Sequence, residues 1–148
     1  MGYHCRPNFQ EALTLRYLKT LRIVAILLLL FNGTGALFGG WSLISDPTGQ
    51  DLHLPTGLLE HSPFKDFFIP GVVLFTSIGI FSFVALLWMT MQWKHYPLLL
   101  IIEGLLVTGW IIIQMILIRE LSYLQGIFIT IGIFFMLTGW RLKLKNEN

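Results

Sequence analysis

Residues 21–44 read LRIVAILLLLFNGTGALFGGWSLI, an apolar run with a single cation near its start. At about 1.5 Å per residue a helix of this length crosses a hydrocarbon core of about 30 Å. Three further stretches have the same character: Phe68–Gln92, Tyr96–Ile118 and Leu121–Trp140. None alternates apolar and polar residues as a barrel strand does, so all four read as helices. The remaining chain is short. It leaves room for an N-terminal segment (1–20), a four-helix domain (21–140) and a tail (141–148), with no second domain.

Composition agrees. Of 148 residues 55% are hydrophobic and 12% charged, with a mean hydropathy of +0.71. Soluble domains carry about 25% charged residues, and a soluble fold of this size cannot hide so much apolar surface. The expected fold is an all-α membrane protein, an antiparallel four-helix transmembrane bundle. Ten Lys and Arg against eight Asp and Glu is too mild an imbalance to imply nucleic acid. The single cysteine, Cys5, excludes an internal disulfide and a C-x-x-C redox pair.

Orientation follows from the cations. Arg6, Arg16, Lys19, Arg22, Lys94, Arg141, Lys143 and Lys145 fall on one side; only Lys65 and Arg119 fall on the other. This bias places both termini in the cytoplasm. Trp41, Phe64, Phe67 and Tyr123 mark the outer interface, and Trp88, Trp93, Tyr96 and Trp140 the inner one. The first apolar run continues to Ile44, too long for the core of a cleaved leader. Arg6 stands where a myristoylation signal at Gly2 wants Ser or Thr.

Asn8 and Glu11 have the spacing of a capping box, so a basic helix is expected over Phe9–Thr20, leading into the first span. The outer connection, about Ser45–Phe67, holds two turn signals. Asp46-Pro47-Thr48-Gly49 ends the first helix, and Ser62-Pro63 predicts the start of a short interfacial helix with Asp66 in its first turn. Phe64 and Phe67 would hold that helix on the membrane surface.

Asn32, Glu103 and Gln114 are the costly polar residues of the spans. Glu103 lies about 10 Å inside the third helix, where a carboxylate must face the bundle interior or carry a proton. Trp110 and Gln114 share its face at 100° per residue. No Lys or Arg is deep enough to pair with it, which leaves Asn32, the hydroxyls of Thr76, Ser77, Ser82 and Thr130, or a proton. Two functions compete: a neutral Glu that joins helices by hydrogen bonds, which is favoured, and a proton- or cation-linked carboxylate in a small cavity. Gly35, Gly39 and Gly40, with Ala36, provide small residues four apart for close helix approach. Internal packing, with Gly79, Ser82, Gly126 and Thr130 as receivers, is favoured over a homodimer face.

His53 and His61 share the outer loop with Asp46, Asp51, Glu60 and Asp66, but their spacing matches no metal motif. The spans contain no histidine for haem ligation. Catalytic and phosphate-binding motifs are missing, so neither a catalytic site, a cofactor nor a metal is assigned.

The segment Gly39-Gly40-x-x-Leu43-x-x-Asp46-Pro47-x-Gly49, then Leu54-Pro55, Leu58-Leu59, Ser62-Pro63-Phe64-x-Asp66 and Ile69-Pro70-Gly71, forms a pattern. Gly109-Trp110-Ile111-x-x-Gln114 and Ser122-Tyr123-Leu124-Gln125 extend it. This pattern resembles a family of small bacterial four-helix membrane proteins, loosely similar to the DoxX-like group. The resemblance spans about Leu21–Trp140. It implies the bacterial cytoplasmic membrane and a four-helix fold, and no activity.

Small size, close-packing glycines and missing catalytic residues lead to a first functional expectation. The chain is a non-enzymatic accessory or regulatory partner of another membrane protein, or acts with a second copy of itself. The alternatives are an oligomeric transporter or channel using Glu103 and Asn32, and a lipid- or quinone-linked enzyme.

Overall fold

The computed structural model describes residues 9–54, 59, 62–118 and 122–147. Its frame is four helices: α1 (Phe9–Ser45), α2 (Phe68–Thr90), α3 (Tyr96–Ile118) and α4 (Tyr123–Glu147). Each is long and apolar enough to cross a membrane. The chain is therefore an all-α, multi-pass bundle, and the described residues contain no strand.

α1 is one unbroken helix of 37 residues, about 55 Å at 1.5 Å per residue and much longer than a hydrocarbon core. The basic lead segment and the first span are thus continuous, because no breaker falls between them. The proposed cap, Asn8, lies outside the described residues. The helix ends where Pro47 removes a donor and Asp46 turns the chain. α4 also runs on, through Arg141–Lys145 to Glu147, so most of the expected tail is helical. These are good helix formers, and Leu142 is buried against the core.

The short interfacial helix expected from Ser62-Pro63 does not form within the described residues. Ser62–Phe67 are bends and irregular chain, and helix begins at Phe68. Ser62 Oγ accepts from the Phe64 N–H at 3.2 Å and Asp66 Oδ1 from the Phe68 N–H at 3.1 Å. Both side chains thus close local turns that compete with helix.

α2 is not uniform. Leu74–Ile80 is a π-helical segment between α-helical Phe68–Val73 and Phe81–Thr90. α2 ends at Thr90, just before Gln92 takes a left-handed φ of 56°. Arg22 Nη2 donates to the Met89 carbonyl there at 2.5 Å, and its guanidinium lies 5.7 Å from the Tyr96 ring centroid. A cation at a helix C-terminus satisfies an orphan carbonyl and complements the dipole.

Packing is strongest within two hairpins, α1 with α2 and α3 with α4. Glycine allows each approach. A Cβ on Gly40 would stand 2.7 Å from the Phe75 nitrogen, and one on Gly104 2.5 Å from the Gly132 carbonyl oxygen. The hairpins meet over a core of Ala25, Leu29, Ala85, Met89, Tyr96, Leu100, Ile131, Phe135 and Leu142, near the end that carries the 91–95 connection. Towards the opposite end the central apolar cluster shrinks to Ala36, Ile78 and Val107, with Leu43, Phe67 and Ile111 buried besides.

Candidate functional site

The boundary between these two halves is polar. Asn32 on α1, Ser82 on α2 and Glu103 on α3 meet there, each almost fully buried. Asn32 Nδ2 donates to Glu103 Oε1 at 2.9 Å and to Ser82 Oγ at 3.2 Å; Ser82 Oγ donates to the same Oε1 at 2.5 Å. Burial of these groups is tolerated because they satisfy one another. Glu103 Oε2 is the exception, buried with no hydrogen-bond partner among the described residues.

Local sequence brings the three together. Gly33 beside Asn32 lets α2 close in: a Cβ there would lie 2.9 Å from Ser82 Cβ. Gly104 does the same for Glu103, drawing α3 onto α4. Of the hydroxyls considered from sequence, Ser82 is the partner. Thr76 and Thr130 instead bond back to the Val72 and Gly126 carbonyls within their own helices.

Above the cluster lies a cavity of about 420 Å³. Asn32 forms its polar floor. Ala36, Ile78, Val107 and Phe128 line its walls, and Leu54 of the outer loop its far end. The lining also includes Gly35 on α1 and Leu124 on α4, both exposed, so the space reaches the lipid-facing surface between those helices. A second, nearly apolar space of about 300 Å³ lies under the loop against Leu43, Phe64, Phe67 and Val73. Trp110 and Gln114 border both spaces. Gln114 does share the inward stripe with Glu103, but stands about three turns along α3 and takes no part in the polar cluster.

The three glycines singled out on α1 separate. Gly40 makes the close approach to α2; Gly39 has only ordinary contact with Leu74; Gly35 has nothing within 4 Å of a Cβ and borders the cavity instead. Gly35 is therefore not a packing residue within the chain, and Gly126 is equally open. The true seams are Gly33, Ala36 and Gly40 against α2, and Gly104 against Gly132 with Gly139 against Pro97. Sequence reasoning missed the second seam. Its signal was the pair Gly132 and Gly139, seven residues apart and so on one helix face.

The outer-loop motif builds a roof. Asp46 accepts from the Thr48 N–H, the Thr48 hydroxyl and the Asp51 N–H at 3.1, 2.6 and 2.9 Å. These bonds, led by the Thr48 hydroxyl, hold its carboxyl below the usual value of 3.8. The Pro47 carbonyl accepts from the Phe67 N–H at 2.9 Å, tying both ends of the loop. Gly49 adopts φ 75°, and a side chain there would press on the buried Phe67 ring. Among the described residues no three of His, Cys, Asp and Glu converge as metal ligands.

Ser122 and Gln125 also have a role that their spacing encodes. The Ser122 N–H donates to Gln125 Oε1 at 2.9 Å and the Leu124 N–H approaches Ser122 Oγ at 3.4 Å, a capping box that starts α4. Gln125 is thereby fixed at the cavity wall. Compared with protein families, characterised proteins and solved structures, the chain matches none.

Proposed function

We propose that this chain is a non-catalytic membrane protein that binds an amphiphilic small molecule between its two helical hairpins. The observation that carries this reading is the 420 Å³ cavity, with mostly apolar walls and a few polar groups: Asn32 at its floor, and Gln114, Ser122 and Gln125 along its lining. Binding pockets have this composition, and their volumes run from about 300 to 1,000 Å³. The space borders lipid-facing positions, so a ligand dissolved in the bilayer can reach it. A transport path through a single chain is disfavoured by the closed core on the other side of Asn32.

The test is mass spectrometry of the full chain purified from its native membrane in mild detergent. A single amphiphile that accompanies the protein, and is lost from Gly35→Trp, supports the reading. Protein free of any such molecule, in both forms, counts against it.

The accessory-partner reading is favoured by a different observation. Over Phe9–Tyr17, ahead of Leu18, which packs on the core, α1 leaves Phe9, Leu13, Leu15 and Tyr17 exposed. A second membrane protein in fixed stoichiometry after the same purification supports it; recovery of the chain alone removes it. Residence in a bacterial cytoplasmic membrane rests on the outer-loop resemblance, and cytoplasmic termini rest on the cation bias. Cys5, the chain's one thiol, tests orientation: a membrane-impermeant maleimide leaves it unlabelled in intact cells and labels it after lysis. Labelling in intact cells reverses the assignment.

A further inference from the structure

The loop end of the cavity is polar, and its polarity has a direction. Gln114, near the end of α3, and Ser122 and Gln125, at the start of α4, line it there. Gln125 is 7% exposed. Its oxygen is committed: a backbone N–H can only donate, and that of Ser122 donates to Gln125 Oε1 at 2.9 Å. The amide is thereby turned. Nε2, with two hydrogens, is the end left without a partner among the described residues. Ser122 has the same bias, since the Leu124 N–H approaches its Oγ at 3.4 Å and the hydroxyl hydrogen is left to give. The Gln114 amide is unengaged among the described residues and can donate as well. The positive end of the 25-residue α4 adds to this field.

We infer that the cavity takes an amphiphile whose polar end is a carbonyl oxygen, of a ketone or an ester, accepting from Gln125 Nε2 at the loop end. Its apolar body runs inward along Phe128 and along Ile111 and Val107, about one and two turns from Gln114 on α3. Ser122 is the positioning residue, because its N–H determines which end of the Gln125 amide is left for the ligand. This deepens the binding reading and rests on it. A carbonyl satisfies the buried donor; a hydrocarbon of the same shape leaves it bare. A site built to bond a polar atom rejects the analogue that lacks it.

The experiment compares 2-heptadecanone with 2-methyl-1-heptadecene, which has a CH2 group in place of the ketone oxygen. Both are offered to the purified full chain and read by competition or by the shift in thermal midpoint. The expected result is an affinity about tenfold higher for the ketone, the worth of one buried hydrogen bond. Gln125→Met keeps the size of the side chain, loses its hydrogens and brings the ratio to about one. If loss of the cap unfolds that variant, Gln125→Glu at alkaline pH still accepts from the Ser122 N–H, has no hydrogen to give and lowers the ratio equally. A ratio that stays at about ten in the variant that folds overturns the role of Gln125. Equal affinity of the unaltered protein for both probes overturns the carbonyl assignment and leaves the binding reading standing. Binding of neither overturns both.

Discussion

The two halves of this bundle are built differently although the same four helices form both. Near the 91–95 connection, nine buried residues from all four helices fill the centre, and Arg22 bonds to the end of α2. Near the 46–67 loop the central cluster is only Ala36, Ile78 and Val107, with Leu43, Phe67 and Ile111 buried besides; two cavities open among them, and a loop serves as lid. The polar cluster of Asn32, Ser82 and Glu103 divides them. In lipid, an empty centre forfeits dispersion contacts that a filled one makes. The filled half therefore carries the stability, and the open half is available for a ligand.

This contrast can be broken by substitution. The largest expected effect is Phe135→Ala, which removes a fully buried ring from the filled half and costs about 3–5 kcal/mol in a denaturation assay. Gly104→Leu follows. Its Cβ meets the backbone of α4, which cannot yield as a side chain would, and the expected cost is about 1–3 kcal/mol with loosening of the α3–α4 hairpin. Asp46→Ala acts on the lid alone. Exchange of the Thr48 and Asp51 amide hydrogens should accelerate while the helices stay protected.

Acid reproduces the Asp46 effect with a defined sign. The folded carboxyl titrates below its unfolded value of 3.8, so its support is complete above that pH. As pH falls below 3.8 through the depressed folded value, the loop loses it. Loop exchange that is unchanged across this window in the unaltered protein would refute the tether. Smallest of all is Gly35→Ala, which enters open space and should change stability by no more than about 0.5 kcal/mol. A large loss there would mean that Gly35 packs against something in the membrane.

The number of helices, their membrane character and the inward stripe through Glu103 were legible in the sequence, because bilayer thickness and desolvation leave few alternatives. The lack of a deep cation left Asn32, the hydroxyls of Thr76, Ser77, Ser82 and Thr130, or a proton as partners for Glu103, and only the fold selects Asn32 and Ser82. Helix ends were read less well. Ser62-Pro63 has the composition of a helix start, yet Ser62 and Asp66 use their oxygens for turns, and helix waits until Phe68. The roles of Gly35 and Gly132 were hidden for another reason. Small residues mark where backbones can approach, but only the rotation of each helix decides which of them meet. A cavity is harder still, since it is the space that side chains on three or four helices fail to fill.

The most direct measurement is the thermal unfolding midpoint of the purified chain with and without hexadecanol, in the unaltered protein and in Gly35→Trp. A ligand at about a hundred times its dissociation constant stabilises the native state by about 2.7 kcal/mol. A clear rise in the unaltered protein, and none in Gly35→Trp, is the result expected if the open half is a binding site. An equal rise in both, or in neither, would contradict it.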